Sequence, residues 1–477
     1  MSSSPTIELV NDDVPLDTTR GIEAHGIDHI PESERSGHPK QLFGVWAASQ
    51  INYLGLIVGA TLVLMGLSFW QALIALVIGS AFGVLPGLIS ASGSASGTPS
   101  EIVMRALFGI RGNRINQFFS GWLVNVLYLA LNWSAAGYIA FSLLQRMGLP
   151  LNSFGEAVVV VIIAALTLVV SVYGYNLITR LYQPLCWILV AVFALAAAFV
   201  LFGSSWHFAE AKPLDGVQFW ATLVSGITLI ASAPLSYTNA ADFARYLPSS
   251  TTVRQTAMWV ALGFLVPGIL IGALGAFVAT SFATSDPQSA LEQLLPAWFT
   301  PIFTLAVVFG TIANNAMTAY SSGLVLQTIG VKLRRSVTVL IDGAIGITIT
   351  LFALLVWNFL DTVSNLLQLI VVVTAPLMAI YIADVRLRKN RYDGTLLEDD
   401  SQHSVFWFHA GYNLAGVTSY LLGMALALCC ISTSIFVGPI SAWMGGFDLS
   451  LTVGLIVPFF LYTALMKRYS AAQRTLS

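Results

Sequence analysis

One feature recurs along almost the whole chain: an apolar run of about 20 residues, closed at both ends by polar or charged residues. A helix of that length crosses the hydrocarbon of a bilayer. Inside a bilayer only helices and closed barrels satisfy their own backbone. A barrel needs short segments of alternating polarity, and none is present. Twelve runs are predicted as spans, over 42–66, 68–92, 115–144, 155–174, 179–203, 217–241, 256–283, 297–330, 337–359, 362–385, 408–436 and 448–467. Charged residues are 9% of the chain, against about 25% in a soluble domain. The fold class is therefore an all-α polytopic membrane protein, and its largest partner is the lipid bilayer.

Lys and Arg test this map. If the N-terminus and every second loop share one side, 19 of the 21 basic residues fall there, and only Arg146 and Lys212 fall opposite. A missed or invented span would scramble that split. The positive-inside rule then places both termini in the cytoplasm, with the chain in a plasma or prokaryotic inner membrane. The formal net charge of −2 gives no reason to expect nucleic acid as a partner. The three cysteines, Cys186, Cys429 and Cys430, lie in apolar runs and outline neither a disulfide framework nor a zinc site.

The first 41 residues are polar, lack the apolar stretch of a signal peptide, and read as a cytoplasmic tail. One loop, 386–407, is long and charged. It divides a core of ten spans, 42–385, from two accessory spans, 408–467, and a short C-terminal tail, 468–477. Spans one to five cover 42–203 and spans six to ten cover 217–385. The two halves have similar length, which permits an inverted repeat.

An amide in lipid without a partner costs several kcal/mol, about 2–7 by transfer. Polar groups at mid-span should therefore face protein or a wet cavity. Span eight, "VVFGTIANNAMTAYSSGLVLQTIG", carries adjacent Asn314 and Asn315, with Thr311 and Thr318. The two asparagines point about 100° apart on a helix, so one face cannot use both. Span three carries Asn125, Tyr128 and Asn132 on a single helical face. Span one carries Gln50, Asn52 and Tyr53 in "WAASQINYLGL". Span six carries Ser236, Tyr237 and Asn239 just after Pro234. Spans one and six are also the two expected to break, since Gly55 and Gly59 follow the cluster in one and Pro234 removes a donor in the other. Broken spans at matching positions of two halves point to a transport site. Asp242 and Arg245, one turn apart at the end of span six, are expected to pair as a structural or gating couple. Polar residues in membrane helices also serve as glue between helices. The combination seen here, amides and phenols with no charge at the midplane, suits a neutral, planar, hydrogen-bonding ligand.

Four segments carry a family resemblance. They are "GIEAHGIDHIPESERSGHPKQLFGVWAASQINYLGL" at the start of span one, "SGTPSEIVMRALFGIRGNR" between spans two and three, "NAADFARYLP" closing span six, and "TIANNAMTAYSSGL" in span eight. In that order and on those spans, they resemble the nucleobase–cation symporter-1 family, the purine/cytosine permeases, over nearly the whole chain. The resemblance implies a leucine-transporter-type core, a 5+5 inverted repeat with two added helices. It also implies import of nucleobases or of relatives such as hydantoins, allantoin, uracil or B6 vitamers, driven by sodium or protons, without any cofactor. In the family the ligand lies between spans one, three, six and eight, sandwiched by aromatics and read by amides. Carried onto this chain, that set is Gln50, Asn52, Tyr128, Asn132, Ser236, Tyr237, and Asn314 or Asn315.

The chain departs from the pattern in two places. Tyr128, and Ser236 or Tyr237, stand where the family often has Trp. Sodium-coupled relatives place neighbouring hydroxyls on span eight beside span-one carbonyls. The corresponding set here, Ser49, Asn52 and Thr311, has one span-eight hydroxyl, which tilts the expectation towards protons.

The reading is a secondary active symporter for a neutral nucleobase-type heterocycle, working by alternating access and as a monomer. The alternatives are a same-fold carrier for a B6 vitamer, allantoin, a hydantoin or an amino acid and, more remotely, a membrane-embedded enzyme, a channel or a receptor. An enzyme would need an intramembrane nucleophile–base pair or metal cluster, and a channel a pore-lining ring; the sequence offers neither.

Overall fold

A computed structural model describes residues 22–23, 25–203, 214–282, 287–356 and 359–476. Lys212, and the tail up to residue 21, lie outside the described residues. Among the described residues there are no strands, and ten helices are long and apolar enough to cross a membrane. They are span two (Phe69–Ser96), three (Ile110–Arg146), four (Ser153–Tyr173), five (Tyr175–Phe202), six (Gly216–Ser236), seven (Val253–Ser281), eight (Thr300–Ile329), nine (Arg335–Leu354), ten (Ser364–Leu387) and a final helix, Ser450–Tyr469. Span one is a bent pair, Gln41–Gln50 and Tyr53–Leu64, turning through 60° at its break.

Three boundaries differ from the sequence expectation, each for a local reason. The run at 408–436 is helical only over Leu414–Cys430, because Asn413 caps it by accepting from Ala415 N and the chain turns extended at Ile431. Its 17 residues sit at the short end of what can span a bilayer, about 17–25. Span three starts earlier, at Ile110, and includes a π-helical stretch over Gln117–Leu123. Span six stops at Ser236 rather than 241. Pro234 has no N–H to continue the ladder, and Tyr237 N closes a turn on the Pro234 carbonyl at 3.3 Å.

The spans sort into two packed groups. Spans one, two, six and seven lie against one another, and so do three, four, eight and nine. Span five and the first half of span one touch both span eight and each other, while the final helix packs on span ten. Backbone-close contacts replace an apolar driving force that lipid does not supply. Within the first group, a methyl built on Gly59 of span one would overlap the backbone of Gly272 on span seven. Between groups, a methyl on Gly310 of span eight would overlap the carbonyl oxygen of Ile51, at the break of span one.

The basic end of the molecule is closed by a piece of the tail. Glu23 is buried there, and its Oε1 accepts from Arg245 Nη2 at 2.8 Å, Tyr246 OH at 2.5 Å and Tyr320 OH at 2.9 Å. Its Oε2 accepts from Tyr175 N at 2.8 Å and lies 3.6 Å from Arg335 Nη2. Arg245 follows span six and Arg335 opens span nine, so this one carboxylate bridges both groups. Burial opposes its charge, but Arg335, Arg245 and Tyr246 outweigh burial and hold it below the usual glutamate range. The expected Asp242–Arg245 pair is therefore corrected: Arg245 bonds Glu23, Tyr320 and the Gly26 carbonyl, and makes no salt bridge with Asp242. Asp242 accepts instead from Ser100 N and Ser321 Oγ. The physical reason is that the chain after Tyr237 is not α-helical. Residues Ala240–Phe243 form a 3-10 turn that ends before Arg245, so no helix carries both side chains and the i,i+3 spacing does not align them.

Two outcomes follow from this packing. Gly310→Ala, which in an ordinary helix would stabilise by about 1 kcal/mol, should lower the apparent melting temperature of the detergent-purified protein, since the methyl has no space. Glu23→Gln should also lower it, because two buried guanidinium groups lose their counter-charge, at a cost of order 3–5 kcal/mol. A carboxylate with a depressed pKa stabilises above its unfolded value and loses that contribution as pH falls through its folded value. The Glu23 contribution should thus be lost only as pH falls below about 5, and the Glu23→Gln protein should show a smaller drop in melting temperature over that acid range.

Candidate functional site

Between the two groups, at the breaks of spans one and six, lies a cavity of about 720 Å³ when its opening to solvent is counted in. Among the described residues no charged side chain lines it, and its polar walls come from Gln50, Asn52, Ser80, Tyr128, Asn132, Ser232, Ser236, Tyr237 and Asn314. The structure thus brings together seven of the eight residues expected to bind ligand. Asn315, the eighth, turns away from the lining.

The amides are wired to one another. Asn132 Nδ2 donates to Asn314 Oδ1 and to Asn315 Oδ1, both at 2.9 Å. Asn315 Nδ2 then donates to the Leu129 carbonyl at 3.0 Å, tying span eight to span three. Asn314 Nδ2 donates to the Ser49 carbonyl and to Tyr237 OH, both at 2.9 Å, tying span eight to the breaks of spans one and six. The adjacent asparagines therefore face different neighbours, as their angular separation requires.

The break of span one is built by Asn52. Its Oδ1 accepts from Gly55 N at 3.1 Å as an N-cap, and its Nδ2 donates to the Ser49 carbonyl at 2.7 Å. Asn52 lines the cavity, but its hydrogen-bonding groups hold the helix ends. Ser49 Oγ donates to the Trp46 carbonyl at 2.8 Å, and Thr311 Oγ1 to the Val307 carbonyl at 3.0 Å. Of the three residues expected around a coupling cation, Ser49 and Thr311 therefore turn their hydroxyls back onto their own helices, and Asn52 spends its amide on the break. The carbonyl of Ser49 is taken by two amides.

Four groups keep capacity for a ligand. Tyr128 OH is buried and makes no hydrogen bond of good geometry, with the hydroxyls of Ser232 and Ser236 beside it. Tyr237 OH accepts from Asn314 and retains its own hydrogen to donate. Asn132 Oδ1 remains as an acceptor once its amide hydrogens are spent. Gln50, partly exposed, makes one long bond of 3.4 Å to Ser49 Oγ. Ser236 Oγ donates to the Ala233 carbonyl at 2.7 Å, so it offers chiefly an acceptor.

Sequence reasoning missed the ring support. Trp46 packs edge-on to Tyr237 at 4.8 Å and beside Phe264 of span seven at 4.9 Å, which fixes the Tyr237 ring. Trp46 precedes Gln50 by four residues, one helical turn, and that spacing was the available signal. Ser232, one turn before Ser236, was legible in the same way. Leu76, Ile271 and Leu367 supply apolar walls and carried no signal that distinguishes them from packing.

Comparison with known proteins bears on the family and the fold. The family described as "Permease for cytosine/purines, uracil, thiamine, allantoin" matches residues 29–454. The "Putative purine-cytosine permease YxlA" of Bacillus subtilis (strain 168) is 28% identical over 462 residues, covering 94% of this chain and 96% of that one. "Purine-cytosine permease fcyB" of Emericella nidulans is 22% identical over 474 residues, covering 93% and 88%. Among solved structures, Mhp1, a nucleobase-cation-symport-1 family transporter in a closed conformation with bromovinylhydantoin bound, aligns with a TM-score of 0.78 at 17% identity, covering 94% and 96%. At that identity the likeness speaks for the fold. The family match, over most of the chain, carries the assignment: the chain belongs to the permease family for cytosine, purines, uracil, thiamine and allantoin.

Proposed function

We propose that the protein imports a neutral nucleobase, of the cytosine or purine type, by cation symport and alternating access. The observation that carries this reading is the uncharged cavity at the paired breaks, where Tyr128, Tyr237, Asn132 and Gln50 keep unspent donors and acceptors. A nucleobase edge presents paired donors and acceptors to such groups, and its ring offers a face to the phenols. An amino acid would bring a carboxylate. The backbone amide best placed to meet one, Gly55 N at the start of the second half of span one, is already capped by Asn52. The two packed groups are the moving parts: spans one, two, six and seven rock against three, four, eight and nine. Base and cation drive that motion only through different affinities for its end states. The basic end faces the cytoplasm, with both termini there, in the plasma membrane, and the monomer is the working unit.

The coupling ion in this reading is a proton. The Ser49 carbonyl, which the break frees, is occupied by amide hydrogens of Asn52 and Asn314, and Thr311 bonds its own helix. These are the oxygens that a sodium ion would need.

The reading is tested by counterflow of labelled cytosine, adenine, hypoxanthine, uracil and allantoin in proteoliposomes. At least one base should exchange, and a blank across the set sinks it. Tyr128→Phe removes only the phenol hydroxyl. It should leave the melting temperature unchanged or higher and weaken base binding about 2- to 10-fold, the net worth of one hydrogen bond. Asn314→Ala should lose both, because the same amide clasps Ser49 and Tyr237. Unaltered binding in Tyr128→Phe would remove that phenol from the ligand's hydrogen-bonding set.

A further inference from the structure

A second polar cluster lies below the cavity, towards the basic end, and the site just described does not use it. Glu101 sits in the short helical turn Ser100–Val103, between spans two and three. Its side chain is buried, and its Oε2 has no hydrogen-bond partner. The carboxyl beside it is that of Asp242, which is fully buried and takes the N–H of Ser100, the residue before Glu101. Asp242 is itself well served: Oδ1 accepts from Ser100 N at 2.9 Å and Oδ2 from Ser321 Oγ at 2.5 Å. Also facing the pair are the Arg245 guanidinium, on the chain after span six, and the phenols of Tyr381 on span ten and Tyr320 on span eight. Tyr381 OH bonds Ser92 Oγ at 2.8 Å.

The buried bases near this pair are engaged elsewhere: Arg245 and Arg335 with Glu23, Arg105 with the carbonyls of Leu397 and Glu398, and Arg35 with those of Ile30, Ser94 and Ser96. Glu101 Oε2 is left with no donor. Two buried carboxylates in contact cannot both stay ionised at low cost. Burial and then the neighbouring Asp242 charge push the Glu101 carboxyl well up, while Asp242 is raised by burial.

We propose that the Glu101–Asp242 carboxyl pair is the binding site of the proton that this transporter moves together with its base. The proposal rests on the symport reading above. In the loaded state Glu101 O–H donates to Asp242, leaving one negative charge beside Arg245. Release breaks that O–H bond and passes the proton to water on the cytoplasmic side, leaving two carboxylates whose repulsion favours separating Asp242 from Glu101. Base and proton act on the same elements. Asp242 follows Tyr237 by five residues on the broken end of span six. Ser321 follows Asn314 by seven on span eight, two turns or about 10 Å along the axis. Each ligand therefore biases the segment that holds the other, which is what coupling requires.

The test uses full-length protein in proteoliposomes, with a base identified by counterflow and the membrane potential clamped to zero. A gradient of one pH unit, acid outside, should let wild type accumulate the base up to about tenfold, the limit for one proton per base. Glu101→Gln, which mimics the protonated acid, should hold no accumulation above onefold, while base-for-base exchange continues. Infrared spectra of purified wild type at neutral pH should contain a protonated-carboxyl C=O band that Glu101→Gln lacks. A wild-type check needs no variant: base added to lightly buffered wild type above the pair's midpoint should take up protons from solution. Tenfold accumulation by Glu101→Gln overturns the proposal. So does wild-type accumulation driven by sodium and not by pH, or the absence of both the infrared band and the proton uptake. A blank counterflow in wild type is a different result, because it removes the transport reading itself and this proposal with it.

Discussion

A carbonyl freed in the middle of a membrane has no water to turn to. When span one breaks at Ile51 and Asn52, the Ser49 carbonyl loses its helical partner, and leaving it bare would cost several kcal/mol, about 2–7 by transfer. The structure answers with two amides, one from Asn52 within the break and one from Asn314 on span eight. The second amide sets the geometry of the site. To reach Ser49 it must lie against the break, and span eight can approach that closely only because residue 310 is glycine. Its other hydrogen is then directed at Tyr237, which ends the break in span six. One unsatisfied carbonyl thus pulls three spans to a point, and the cavity is the space that remains between them.

At the basic end the same problem appears with full charges. Arg245 and Arg335 belong to opposite packed groups, and each is buried. A single carboxylate from the tail serves both, assisted by cation–π contacts of Arg335 over Tyr320 at 4.9 Å and Arg245 over Tyr246 at 5.3 Å. Removing one partner of a buried pair is far more costly than its presence is favourable. Opening this end must therefore carry Glu23 away with one group or expose all three charges to water. The tail in this sense belongs with the packed core, although its sequence reads as a polar cytoplasmic tail.

Much of this was legible in the sequence. Apolar run lengths placed a helix in every predicted run, and the polar exceptions at mid-span marked the cavity, because lipid penalises a stray amide strongly enough to make each one informative. Pro234 located the break in span six, and the angle between Asn314 and Asn315 foretold their separate neighbours. What failed to show was long-range pairing. Glu23 meets Arg245 across 222 residues of chain, and nothing local in either segment names the other. The Asp242–Arg245 spacing misled because it presumed α-helical geometry just where the proline had ended it. Glu101 was visible only as one letter of a family motif, and its meaning depends on Asp242 lying against it.

The cavity and the acid pair are joined by the geometry of two elements rather than by a wire. Span eight holds Asn314 at the cavity and Ser321 two turns below, and it is continuous between them. The chain after span six holds Tyr237 at the cavity and Asp242 at the pair, but its hydrogen bonds there are those of a tight 3-10 turn, not of a regular helix. A rigid rod beside a short, irregular segment makes an asymmetric joint. Any rearrangement at Tyr237 is transmitted to Asp242 relative to a fixed Ser321, and the reverse holds equally. Span two braces the segment in this state, with Ser90 Oγ on the Ala240 carbonyl at 3.1 Å and Gly93 packed against Ala241. Those contacts lie within the first packed group. In the proposed rocking the segment would move with spans one, two, six and seven, and the Asp242–Ser321 bond, which crosses between groups, is one of the contacts that such a motion would break.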